Sequence, residues 1–142
     1  MVAKQLSVFI ENRQGRLGEV LNVLKENGVN IFSLSLADTT EYGLLRLIVS
    51  DPITGKEKLS DCGFSTILTD VLVLNITHEV GSLQQILGDL SSKGVNIEYM
   101  YGLSIDGDDA SVVLKATDLK RAEEILHDAG IKTLTEKDIL KI

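Results

Sequence analysis

The sequence predicts an α+β protein made of two tandem βαββαβ units, each an antiparallel sheet with its helices on one face. Three observations carry this reading. The chain repeats itself at a fixed shift, a helix-ending glycine pattern recurs four times, and strand-like runs fall between the helices in the same order in both halves.

The repeat is direct. Shifted by 66 positions, Leu6–Ile31 falls on Leu72–Ile97 with ten of 26 positions identical, where background composition gives roughly one or two. Gly15 meets Gly81, Leu17 meets Leu83, Leu24 meets Leu90, and Gly28-Val29-Asn30-Ile31 meets Gly94-Val95-Asn96-Ile97. Beyond this the shift becomes 67, aligning Asp51 with Asp118, Leu59 with Leu126 and Gly63 with Gly130. The additional residue is expected in the second hairpin, around Asp106-Gly107-Asp108-Asp109. The reading divides the chain into 1–68 and 69–142.

In chain order, the first strand is Leu6–Ile10, half of an alternating run. Leu17, Val20, Leu21 and Leu24 then keep the i, i+3, i+4, i+7 spacing of a helix face. Strands follow at Val29–Leu36 and Leu44–Ser50. The helix Asp51–Cys62 is shortened by Pro52 and Gly55, and Phe64–Leu68 completes the first unit. The second unit repeats the series: strand Val71–Ile76, a helix on Leu83, Ile86, Leu87 and Leu90, then strands Val95–Ile105 and Ala110–Lys115. Asp118 is a natural N-cap for a helix carrying Ala122, Ile125, Leu126 and Ala129, followed by a strand at Ile131–Leu134. The tail Asp138–Ile142 matches Val71 onward, which leaves an added strand as an open option.

Each helix has a Leu followed four residues later by Gly and then an apolar residue: Leu24/Gly28/Val29, Leu59/Gly63/Phe64, Leu90/Gly94/Val95 and Leu126/Gly130/Ile131. This is the requirement of a Schellman C-cap, in which a left-handed Gly lets the next residue pack back on the last turn. The βαββαβ order with right-handed crossovers is the ferredoxin-like arrangement. A unit of about 66 residues buries only about 60% of its unfolded surface. Two units joined by the short connector Thr69-Asp70 are therefore expected to pack together, edge to edge.

Composition narrows the function classes. With 44% hydrophobic and 25% charged residues the chain has an ordinary globular balance. A net charge of -7 argues against binding a phosphate backbone or an anionic membrane, so neither nucleic acid nor membrane is an expected partner. The single Cys62 excludes an intrachain disulfide and suits a reducing compartment. The N-terminal MVAKQLSVFIENRQ has no signal-peptide pattern, and no apolar run reaches the length of about 18 residues that spans a bilayer. The sequon Asn75-Ile76-Thr77 is set aside on the same ground, and a cytoplasmic location is expected.

The informative segment is the loop between the first strand and first helix of each unit: Ile10-Glu11-Asn12-Arg13-Gln14-Gly15-Arg16-Leu17 and Ile76-Thr77-His78-Glu79-Val80-Gly81-Ser82-Leu83. Gly15 and Gly81 permit close approach at a helix N-terminus, where free N–H groups favour an anion. A turn glycine without ligand explains them as well.

These residues, an apolar alternating strand followed by Asn12-Arg13-x-Gly15-x-Leu17, a helix, and then Gly28-Val29-Asn30-Ile31, resemble the ACT domain, the amino-acid-sensing module of metabolic enzymes. The first copy is especially similar to the serine-sensing ACT domain of phosphoglycerate dehydrogenases, and the second keeps Gly81, Leu83 and Gly94-Val95-Asn96-Ile97 but has His78 in place of Asn12. The resemblance implies an amino acid held between the β1–α1 loop of one unit and the GVNI strand start of another. Asn12 and Asn30 would grip its amino and carboxylate groups, Arg13, Gln14 and Arg16 would flank it, and Gly15–Leu17 would supply N–H donors beside Ile31. In the second copy His78, Gly81, Ser82, Leu83 and Asn96 take those places. Ile10 stands where the serine-sensing pattern has a histidine and Gln14 where it has a proline, so the ligand's identity stays open.

Other chemistry is weakly supported. His78 and His127 are the only histidines and lie far apart, and Asp106-Gly107-Asp108-Asp109 opens like a calcium loop without the closing Glu, which favours a hairpin turn. Cys62 reads as a helix-end residue, and Tyr99, Met100 and Tyr101 as sheet-face packing. No Ser–His or Cys–His pairing falls within one copy, Leu44–Val49 and Ala110–Leu114 lack the aromatics of an RNA-binding sheet, and Cys-x-x-Cys is absent. The expectation is therefore no enzyme, no metal and no cofactor. It is an amino-acid-binding regulatory protein that acts on a separate metabolic enzyme or through its own oligomer, a homodimer being favoured by the matching edges. The alternative is a structural dimerisation or interaction module without ligand.

Overall fold

The computed structural model describes residues 2–11, 13–38, 41–77, 79–106 and 109–140, with the backbone alone at 38 and 104–106. The chain divides into two compact units, Lys4–Thr69, and Asp70–Ile142 together with Met1–Ala3. The first contains β1 (Ala3–Glu11), α1 (Arg16–Glu26), β2 (Ile31–Asp38), β3 (Tyr42–Val49), α2 (Pro52–Asp61) and the start of β4 (Ser65–Thr77). The second continues from β4 through α3 (Ser82–Ser92), β5 (Ile97–Asp106), β6 (Asp109–Ala116), α4 (Leu119–Asp128), β7 (Lys132–Thr133) and α5 (Glu136–Ile139).

In the first unit β3 pairs antiparallel with β1 and β2, placing Leu47 opposite both Leu6 and Leu34. In the second, β6 pairs antiparallel with β4 and β5, and β7 adds to β4 through Leu74 opposite Thr133. Alternation sends every second side chain to the helix-covered face. Leu6, Val8, Ile10, Leu45, Leu47 and Val49 meet Val20 and Leu24 of α1 and Leu59 of α2 there. The second core matches it position for position, with Leu72, Leu74, Ile76, Leu114 and Ala116 under Ile86 and Leu90 of α3 and Ala122, Ile125 and Leu126 of α4. Both helices of each unit thus serve one core on one face of its sheet.

The four expected C-caps form. Gly28, Gly63, Gly94 and Gly130 have φ of 70, 89, 79 and 78°. The N–H groups of Val29, Phe64, Val95 and Ile131 donate to the carbonyls of Leu24, Leu59, Leu90 and Leu126 at 2.9, 3.0, 3.0 and 2.9 Å, the six-to-one bond of a Schellman motif. At the opposite ends, Asp118 accepts from Arg121 N–H at 3.0 Å and Asp51 from Thr54 N–H at 3.1 Å.

Two local expectations are corrected and one open option is decided. Thr69-Asp70 is no connector: β4 runs unbroken over Ser65–Thr77, because STILTDVLVLNIT has no Gly or Pro to interrupt it. The additional residue of the second copy lies within β5 rather than in the hairpin. Leu36 faces Leu45 and Ala37 faces Leu44, whereas Gly102 faces Val112 and Ser104 faces Ser111, so Leu103 is bulged out of the ladder. Hairpin residues 107 and 108 themselves lie outside the described residues. The tail forms a short helix rather than a strand. Thr135 and Asp138 close a reciprocal capping box, with Asp138 N–H donating to Thr135 Oγ1 at 3.1 Å and Thr135 N–H donating to Asp138 Oδ2 at 2.9 Å. Among the described residues no helix is long and apolar enough to cross a membrane.

Candidate functional site

Both β–α loops fold alike. Arg13 N–H donates to the Glu11 carbonyl at 2.7 Å, and Arg16 N–H reaches back to the Arg13 carbonyl at 3.3 Å. Sixty-six residues on, Glu79 N–H donates to the Thr77 carbonyl at 2.9 Å and Ser82 N–H to the Glu79 carbonyl at 3.3 Å. Each loop ends in a left-handed glycine, Gly15 at φ 86° and Gly81 at φ 89°, as the residue before the helix. That position normally holds Ser, Thr, Asp or Asn, whose side chain caps a free N–H. Among the described residues no side chain caps either helix, so beyond the Arg16 and Ser82 N–H groups held by loop carbonyls, the first-turn N–H groups of α1 and α3 and the positive end of each helix dipole face the loop.

The surroundings of the two loops differ. In the first unit the Arg16 guanidinium lies over the Phe64 ring, 4.2 Å from its centroid, and pairs with Glu19. Its Nε is buried without a hydrogen-bond partner among the described residues. Arg13 is exposed and pairs with Glu11 at 3.4 Å, Gln14 lies in the turn, and Leu17 packs against the first core. In the second unit Ser82 replaces Arg16, and a cavity of about 620 Å³ opens beside it. Its walls come from the end of β4 (Ile76, Thr77), the loop (Glu79), the start of α3 (Ser82, Leu83), the β5 bulge (Gly102, Leu103) and β6 (Ala110, Ser111, Val112). A smaller hollow of about 190 Å³ shares Ile76, Thr77 and Ser82 and extends to Gln85, Asp89 and Ile131.

The GVNI segments stand elsewhere. Asn30 and Asn96 have exposed side chains, while their backbones clasp the sheet: Asn30 N–H donates to Ser50 Oγ at 2.8 Å, and the Asn96 carbonyl accepts from Thr117 N–H at 3.0 Å. Asn30 and Ile31 line a shallow groove of about 380 Å³ with Leu21, Lys25 and Val29. Within one unit, Gly15 and Asn30 lie at opposite ends of α1, whose eleven residues span about 16 Å. No single unit therefore brings both motifs around one ligand. Asn12 and His78 lie outside the described residues.

Sequence reading does not single out Gly102, Leu103 or Val112 as site residues. The signal was present in the repeat itself, where Gly102 aligns with Leu36. In the first unit Leu36 Cδ1 and Ile10 Cγ1 lie 3.2 Å from where a Cβ on Gly43 would stand, so the Leu36 side chain reaches over Gly43. A Cβ on Gly102 would meet nothing within 4 Å.

Comparisons agree with this architecture. Protein BT0572 from Bacteroides thetaiotaomicron is 39% identical, with a TM-score of 0.94 over 100% of this chain and 98% of its own. The ligand-free regulatory subunit of aspartate kinase from Thermus thermophilus shares the fold at 19% identity and a TM-score of 0.63, covering 91% of this chain and 97% of that one. The corresponding subunit from Thermus flavus does so at 21% identity and a TM-score of 0.58, covering 90% and 95%. A search of curated proteins finds no match. A family profile described as an ACT domain pair matches residues 1–142, and with that match the chain belongs to the ACT domain pair family.

Proposed function

We propose that this protein is a regulatory module that binds a free amino acid at its β–α loops and acts on a separate metabolic enzyme or through its own oligomer, a homodimer. The observation that carries the reading is the uncapped helix start behind a left-handed glycine, built twice with the same hydrogen bonds. Uncapped N–H groups and a helix dipole suit a carboxylate, and the cavity beside Ser82 and Leu83 gives the rest of a small ligand somewhere to go. Proteins of the same fold include regulatory subunits of aspartate kinase, which supports a regulatory role. The residues offered for the site are Asn12 and Gly15–Leu17 in the first copy, His78 and Gly81–Leu83 in the second, with Asn30 and Asn96 at the strand starts. Ligand binding to one arrangement shifts the population toward it, which is all the regulation requires.

The test is a thermal-shift screen against the common amino acids. A ligand at about 100 times its dissociation constant stabilises by about 2.7 kcal/mol, a shift of several degrees. The reading expects one or a few amino acids to raise the midpoint, and Gly81→Ala or Asn12→Ala to reduce the response. If no amino acid acts at millimolar concentration the reading fails. The alternative is then an interaction module, which is favoured by one observation: Leu34 and Leu36 on edge strand β2 are 48% and 46% exposed, and Phe9 is 48% exposed.

A further inference from the structure

We infer that the second unit alone holds the ligand, one molecule per chain, and that the ligand is an α-amino acid with a large apolar side chain. This rests on the amino-acid reading above and narrows it. The first observation is the wall chemistry of the 620 Å³ cavity: Ile76, Leu83, Leu103, Ala110 and Val112 with the bare backbone of Gly102. Polar side chains line it at Thr77, Glu79 and Ser82 around the loop and the start of α3, with Ser111 alone on β6. A zwitterion fits that division. The α3 N-terminus takes the carboxylate, the Glu79 carboxylate and Thr77 hydroxyl take the ammonium, and the side chain enters the apolar part. A serine or glycine would leave those walls wet. Burying a Leu, Ile, Met or Phe side chain is worth about tenfold to a hundredfold in affinity over such small ligands.

The second observation is what the first unit places at the same positions. Leu36 occupies the register position of Gly102, and its Cδ1 lies 3.2 Å from where a Cβ on Gly43, the counterpart of Ala110, would stand. Arg16 occupies the position of Ser82 and lies over Phe64, the counterpart of Ile131, where the second unit has its smaller hollow. The first unit thus places larger side chains at the two positions where the second has Gly102 and Ser82. Two substitutions between copies, Leu36 for Gly102 and Arg16 for Ser82, together with the additional Leu103, set the two loops' surroundings apart.

Isothermal titration of the full chain with leucine, isoleucine, methionine, phenylalanine, serine, glycine, aspartate and lysine tests this. The expected result is about one site per chain and at least tenfold preference for the apolar group. Gly102→Leu, which copies the first unit, should weaken binding at least tenfold. A circular-dichroism melt checks its folding, which a Cβ in open space does not disturb. Ser82→Arg at the partly exposed helix start should act likewise should Gly102→Leu fail to fold. Binding that prefers polar amino acids, has two equal sites, or ignores both substitutions overturns this inference and leaves the amino-acid reading standing. Absence of binding by every amino acid overturns both.

Discussion

Two glycines at the start of and within α3 should respond in opposite directions to the same substitution. Gly81 has φ 89°, a region where an L side chain costs about 1–2 kcal/mol. Gly88 lies inside α3, exposed, and a Cβ there would meet nothing within 4 Å. Replacing it by Ala removes unfolded-chain entropy and gains about 1 kcal/mol of helix propensity. With a urea m-value of about 1.5 kcal/mol/M, Gly81→Ala should lower the midpoint by about 1 M and Gly88→Ala should raise it by about 0.7 M. Gly81→Asn should fall between wild type and Gly81→Ala, because Asn tolerates the left-handed region. Far-ultraviolet circular dichroism in a urea titration reads all three. A neutral Gly81→Ala, or two shifts of the same sign, would refute the claim that backbone conformation, rather than contact, explains glycine at the loop end.

Gly55 tests the complementary rule. It is buried in α2, and a Cβ there would stand 3.0 Å from Leu6 Cδ2 and 3.3 Å from Leu24 Cδ2, both fully buried side chains. Overpacking of about 2 kcal/mol outweighs a helix gain of about 1 kcal/mol, so Gly55→Ala should lose about 1 kcal/mol in the same titration; a gain would mean that the two leucines yield. Asp51 supplies a pH dependence. The Thr54 hydroxyl at 2.7 Å, followed by the Thr54 N–H, holds its carboxyl below the usual carboxylate range. A lowered folded pKa gives stability that is present above the unfolded value of about 3.9 and is lost as pH falls through the folded value. Melts from pH 6 to 3 should therefore fall more steeply for wild type than for Asp51→Asn below about pH 4, and parallel curves would count against it.

The parts of this molecule legible in its sequence are those fixed by short-range chemistry. Leu24 with Gly28, and its three counterparts, specify a cap through one conformation and one contact, and the structure forms all four. The core rows follow from alternation and helical spacing, so Leu6, Leu47, Leu72 and Leu114 fall where the pattern puts them. The continuous β4 was less visible, because Asp70 is a weak strand former in the middle of the run. The bulge at Leu103 leaves the alternation of the flanking residues ambiguous and can be assigned only from ladder register. The tail helix was legible in principle: Thr135-Glu136-Lys137-Asp138 is a capping-box spacing, outweighed by a chance match to Val71 onward. The loops were found, but the cavity was not. Whether space opens beside Ser82 depends on a side chain projecting from another strand, Leu36 in one copy and nothing from Gly102 in the other.

That placement explains how the two copies could diverge without cost to the fold. The buried rows on β1 and β3, and on β4 and β6, are apolar in both units, and each set is closed by its own pair of helices. The residues that differ around the loops lie at the rim: Leu36 is nearly half exposed, Ser82 is partly exposed, and Gly102 has open space beside it. A rim residue changes what a hollow admits, while the free energy of folding rests on the rows beneath it. The left-handed glycines are kept in both copies because the loop's backbone needs them whether or not a ligand comes. On the binding proposed above, positions 36 and 16 against 102 and 82 set the two loops apart, and exchanging those residues between copies should weaken binding at the second unit.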